Sequence, residues 1–82
     1  MSKTFEQDAD LDFHLVLAAY DPSIALQVAK IAVEKGYDTP DQIAARVNWL
    51  KTQPVQYRAT VLARVAEAMD QKAKRENPIS SN

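Results

Sequence analysis

The sequence predicts an all-α protein, a small antiparallel bundle of three to four helices with the last helix the longest. Three observations carry that expectation. Apolar side chains recur every three or four positions along most of the chain, the period of a helix with one buried face. Thirteen alanines stand against six aromatics, which favours close helix packing over a sheet. The single glycine and the four prolines fall where one apolar stripe ends and the next begins. A chain of 82 residues holds one domain. Residues 1–78 therefore read as a single helical unit and residues 79–82 as a flexible tail.

The first helix is marked by Leu11, Phe13, Leu15, Val16, Leu17, Ala18 and Tyr20. Two starts are open. Thr4 with Gln7 fits a capping box, and Phe5, Ala9 and Phe13 would then lengthen the stripe. Alternatively Asp8 or Asp10 caps a later start, and residues 1–8 stay loose. Glu6, Asp8, Asp10 and Asp12 suit the positive end of the helix dipole in both cases.

Asp21-Pro22-Ser23 ends that helix, because proline disfavours helical geometry in the residue before it. Asp21 then caps a second helix with Pro22 at its first position. This helix runs to about Lys35. Gln27, Lys30 and Glu34 share one polar stripe, while Ile24, Ala25, Leu26, Val28, Ala29, Ile31, Ala32 and Val33 cover the rest. A helix apolar on most of its circumference is expected at the centre of its bundle. Gly36 supplies the left-handed residue that closes it.

Thr39-Pro40-Asp41-Gln42 opens the third helix as a capping box with proline in the first turn. Ile43, Val47 and Leu50 form its inner stripe, and it ends between Lys51 and Gln53. The fourth helix extends from about Pro54 to Arg75, carrying Val55, Arg58, Val61, Leu62, Val65, Met69 and Ala73 at helical spacing. Lys72, Lys74 and Arg75 complement its C-terminal dipole, and Asn77-Pro78 stops it. At ~1.5 Å per residue it reaches ~33 Å, beyond the other three. Ala66, Met69 and Ala73 then need a cover, either a second copy of the chain or the first helix folded over them.

Composition narrows the function. The net charge of −1 gives no general attraction to nucleic acid or anionic membrane. The chain has no cysteine, so disulfides and thiolate zinc sites are excluded. Met1 to Asp10 is acidic and lacks the apolar segment of a signal peptide. Leu15 to Tyr20 is the longest apolar run, far short of the ~20 residues that span a bilayer. A cytoplasmic location is expected. His14 is the only histidine, and no glycine-rich loop is present to hold phosphates. Ser2, Ser23, Ser80 and Ser81 have no base within reach in the sequence. Neither a cofactor, a metal nor a catalytic residue is expected, and the chain is not expected to be an enzyme.

The expected role is a small non-enzymatic protein–protein interaction or regulatory module, presenting helix faces to a partner or to its own copy as a homodimer. Trp, Tyr and Arg concentrate in interface hot spots. The candidate contact residues are accordingly Arg46, Trp49, Gln53 and Tyr57, with Met69 and Ala73 on the projecting helix. The alternative is a helix-turn-helix DNA-binding regulator. Across the Gly36 turn, Ala32, Gly36 and Tyr37 fit that motif, but the locking position falls on Gln42 and the apolar Ile43 comes one residue late. Asp38 and Asp41 would also lead into the groove, against the phosphates. A second register uses Ala44, Asn48 and Trp49 in the turn and reads bases with Gln56, Arg58, Thr60 and Arg64. Its apolar lock is again late, on Val55, and Pro54 interrupts the turn.

Overall fold

The computed structural model describes residues 5–76, and among these there are four α-helices and no strand. Helix α1 spans Ala9–Tyr20, α2 Ala25–Glu34, α3 Pro40–Leu50 and α4 Val55–Glu76, the longest at 22 residues. The stop expected at Asn77-Pro78, the tail at 79–82 and Thr4 lie outside the described residues.

Helix α1 takes the later of its two starts. Asp8 is its N-cap, and one carboxylate oxygen accepts the Leu11 N–H at 3.2 Å. Residues 5–8 precede the helix and pack on α3 through Phe5 and Glu6, on the α3–α4 loop through Gln7 and on α4 through the Asp8 N–H. At the other end, the Asp21 N–H donates to Leu17 at 2.8 Å. The Asp21 carboxylate also accepts from the Ser23 N–H and hydroxyl, at 3.2 and 2.6 Å. That double contact holds Pro22–Ile24 as a 3-10 turn leading into α2.

Helix α2 closes as its glycine predicts. Gly36 has φ 93°, a conformation without penalty only for a residue lacking Cβ. The Tyr37 N–H reaches back to Ala32 at 2.8 Å and the Gly36 N–H to Val33 at 3.0 Å, the two bonds of a Schellman closure. Tyr37 and Ala32 are buried together in the core. Thr39 caps α3 by accepting the Gln42 N–H at 3.2 Å, while the Gln42 side chain accepts from the Asp38 N–H at 2.8 Å. The return bond of the expected capping box is thus made one residue upstream of the cap.

Two expectations about packing are overturned. The central helix is α1, which packs against α2, α3 and α4. Helix α2 buries only Val28 and Ala32, and leaves Leu26 and Val33 72% and 54% exposed. Its apolar content is spread around a circumference that one neighbour covers only in part. The bundle is also not wholly antiparallel. Lys35 at the end of α2 pairs with Asp8 at the start of α1, so those two run in opposite directions. Tyr57 near the start of α4 bonds Asp12, and Lys72 near its end pairs with Asp21, so α1 and α4 run the same way. Helix α2 thus returns the chain to the end where α1 began, and α3 lies against that end with Arg46 on Asp12 and Glu6.

The core is Leu11, Leu15, Val28, Ala32 and Tyr37, with Phe5, Ala18, Ile24, Ile31, Ile43 and Val47 packed around them. Leu50, Val61 and Val65 are buried where α3 and α4 meet the bundle. Among the described residues no helix is long and apolar enough to cross a membrane.

Candidate functional site

Arg46 lies on the inner stripe of α3, between Ile43 and Leu50, and is 1% exposed. Its guanidinium bonds Asp12 of α1 through Nε at 2.8 Å and Nη2 at 3.0 Å. Nη1 donates to the Tyr37 hydroxyl and Nη2 also to the Glu6 carbonyl, both at 2.8 Å. Trp49 covers the cation at 4.5 Å from its ring centroid, with Tyr37 and Phe5 at 5.4 and 5.9 Å. Asp12 is 0% exposed and receives a further bond from the Tyr57 hydroxyl at 2.5 Å. That hydroxyl in turn accepts the Asp8 N–H at 3.0 Å. The cluster ties α1, α3, α4 and the segment before α1 to one another.

The electrostatics follow from this packing. Burial works against the charge on Arg46, yet its bonds to Asp12 and Tyr37 outweigh that and raise its pKa further. Burial, helped by the Asp12 carboxylate, pushes the Tyr57 phenol up to about 12. The Lys35 ammonium at 2.8 Å holds Asp8 below the ordinary carboxylate value. A cleft of about 330 Å³ opens beside Arg46, lined by Glu6, Gln7, Asp8, Leu11, Lys35 and Tyr37. The cations facing it are already committed, Arg46 to Asp12 and Lys35 to Asp8. What the cluster provides is a fixed relative placement of three helices.

The surface presents a different feature. On α4, Val55, Ala59, Leu62, Ala66, Met69 and Ala73 are all exposed. Val55, Leu62 and Met69 are 66%, 51% and 37% accessible. Their steps alternate between four and three residues, which puts them on one narrow seam of the helix. This seam is rotated by roughly 100° from the direction of Val61 and Val65, which face α1. At Leu62 it runs into an apolar groove of about 230 Å³ between α3 and α4. Val16, Val47, Leu50 and Val61 form the groove's floor with Leu62, and Lys51 and Arg58 stand at its rim.

The residues singled out in the sequence divide between these two features. Arg46 is not a surface residue. Trp49, Gln53 and Tyr57 are half-buried around it, Gln53 meeting Gln7 at 3.3 Å. The patch expected to face a partner is therefore largely turned inward. Met69 and Ala73 do lie at the surface, on the α4 seam. Lys72 reaches Asp21 at 3.4 Å, so the end of α1 does run beside the end of α4, about 60° around the helix from Met69, which stays 37% exposed. Of the residues in the DNA-reading alternative, Gln56, Thr60 and Arg64 follow one side of α4. Arg58 is ~200° around from Gln56. Arg64 is engaged by Asp10 at 3.3 Å and lies over Phe13 at 4.6 Å. His14 places Nδ1 2.7 Å from the Asp10 carbonyl oxygen, on the flank of α1.

Sequence reasoning missed Asp12, taken only as part of an acidic helix start, and the outward turn of Val55 and Leu62. A signal for each was present. Arg46 lies among Ile43, Val47 and Leu50, where a cation needs a buried acid. The apolar residues of α4 also span an arc too wide for one neighbouring helix. Compared with known proteins, the chain matches no family model, no curated protein sequence and no solved structure.

Proposed function

We propose that the chain is a non-enzymatic interaction module that offers the uncovered face of α4 to another protein. One observation carries the reading. Six apolar positions at alternating steps of four and three, from Val55 to Ala73, are exposed on a helix whose other apolar side is already packed. Exposed apolar residues are ordinary when scattered, but an aligned row marks a contact surface. Heptad spacing is the pattern that a second helix reads. The Arg46 cluster supports the same role, because it fixes the helices that display the seam. The same reading places the module in the cytoplasm, which fractionation of the source cells checks.

The test is comparative capture from those cells, with wild type beside a Leu62→Glu/Met69→Glu variant and a Thr60→Glu control. Both variants alter exposed positions and should keep the wild-type circular dichroism. The reading expects partners that are retained by wild type and control and lost with the seam variant. An identical set from all three proteins would dismiss it. The DNA-reading alternative has weaker support, since Arg58 points away from Gln56 and Arg64 is held by Asp10.

A further inference from the structure

We infer that the groove between α3 and α4 receives an acidic amphipathic helix of a different protein, laid along the α4 seam. This rests on the interaction-module reading and adds the chemistry of the partner.

Size sets the kind of ligand. The groove holds about 230 Å³, below the ~300–1,000 Å³ of clefts that enclose a small molecule. It has room for one or two large aliphatic side chains and is continuous, through Leu62, with a seam ~27 Å long. An occupant that fills the groove and follows the seam needs apolar residues at three- and four-residue spacing, which is a helix with one apolar face.

Charge sets the partner's composition. Lys35, Arg46, Arg64, Lys72 and Lys74 each pair with a carboxylate. Lys51 and Arg58, the two cations at the groove rim, have no carboxylate partner among the described residues. Arg58 donates only to the Gln53 carbonyl, at 2.9 Å. None of the residues lining the groove is acidic. Glutamates or aspartates flanking the partner's apolar row would meet both cations at the edge of a surface that docking dries, where such pairs steer and select.

The α4 seam of a second copy does not supply a carboxylate to Arg58. Pairing two α4 seams antiparallel about the midpoint between Leu62 and Ala66 sets flanking positions of the same side against each other. Arg58 then meets Lys72, a like charge. A parallel pairing sets Arg58 against Ala63. In neither arrangement does α4 bring an acid to Arg58.

The experiment uses two synthetic 18-residue helical peptides with the same leucine row, one flanked by glutamate and one by lysine. Binding is followed by amide chemical shifts of the isotopically labelled protein. The glutamate peptide is expected to shift Leu50, Val61 and Leu62 and to bind at least ten-fold tighter than the lysine peptide. The preference should shrink as salt rises and reverse in Lys51→Glu/Arg58→Glu. Leu62→Glu should abolish binding while the dichroism stays unchanged. Equal binding of both peptides would overturn the acidic partner and leave the module reading standing. So would absence of binding by either peptide while capture still shows a seam-dependent partner. Self-association lost in Leu62→Glu would replace the foreign helix with a second copy. Failure of the module reading itself is seen separately, as a capture set that ignores the seam.

Discussion

Arg46 and Asp12 stand 34 positions apart and meet as a two-pronged pair, Nε and Nη2 lying 2.8 and 3.0 Å from the two carboxylate oxygens. Both side chains are essentially without solvent. Such a pair is costly to desolvate, and its net contribution to stability is small beside the penalty for breaking it. Its value here is positional. Tyr57 closes on the same carboxylate from α4, so a single acid sets the approach of two helices to α1.

Removing one partner leaves the other charged and buried. Arg46→Met is expected to destabilise the fold by about 3–5 kcal/mol, read as a lower urea midpoint. Arg46→Lys should not restore it, because an ammonium cannot reproduce the planar contacts to Asp12, Tyr37 and Glu6. Asp12→Leu/Arg46→Met should cost clearly less than the sum of the two single changes. Strictly additive costs would mean that the two residues act independently.

The parts of this structure legible in the sequence are the ones set locally. Gly36, Thr39 and Pro40 mark helix ends through bonds made within a few residues, and each end falls where that chemistry puts it. The choice between Thr4 and Asp8 as the first cap turned on distant contacts, since Tyr57 and Lys35 both hold Asp8 in place. The same holds for the inward turn of Arg46 and Trp49. Each lies on a helix that sequence reads well, but only Asp12 and Phe5, brought from elsewhere, give them a reason to face in. Periodicity shows that α2 and α4 have wide apolar arcs. It does not say which side of each arc finds a neighbour.

Tyr57 makes stability depend on alkaline pH. Burial and the Asp12 carboxylate favour its neutral form, so the folded protein keeps the phenolic proton to about pH 12. The unfolded chain releases it near 10. Between those values the unfolded state binds fewer protons than the native one, and stability falls as pH rises. Below pH 10 the contribution is fully present. Tyr57→Phe removes two hydrogen bonds, to Asp12 and Asp8, and should cost about 1–3 kcal/mol at neutral pH. The difference in Tm between wild type and Tyr57→Phe is expected to narrow from pH 10 to 12. A constant difference across that window would remove the assignment.

Asp8 gives the opposite slope in acid. Its carboxylate caps α1 and pairs with Lys35, which keeps its pKa below the model-peptide value of 3.8. A depressed carboxylate contributes stability above its unfolded pKa and loses it as pH falls through the folded one. Asp8→Ala should cost about 1 kcal/mol near neutrality, mostly as the lost cap. The gap to wild type should hold down to about pH 4 and close below it. Urea titrations at several acidic pH values would show the gap closing, and a gap that persists in strong acid would refute the linkage.

The position of α2 at the edge of the bundle predicts an asymmetry between its two apolar sides. Leu26 and Val33 face solvent, so Leu26→Lys and Val33→Glu should each change stability by no more than about 0.5 kcal/mol. Val28 is 4% exposed against α1. Val28→Ala removes about two methylene equivalents at ~0.8 kcal/mol each and leaves a cavity, so a loss of roughly 2 kcal/mol is expected. Ala32 has no free surface at all, and Ala32→Leu should cost about 1–3 kcal/mol through overpacking against Leu11 and Tyr37. Chemical denaturation of the four variants separates the two sides. A penalty for Leu26→Lys as large as that for Val28→Ala would show α2 covered on both faces, returning it to the centre that its composition alone suggests.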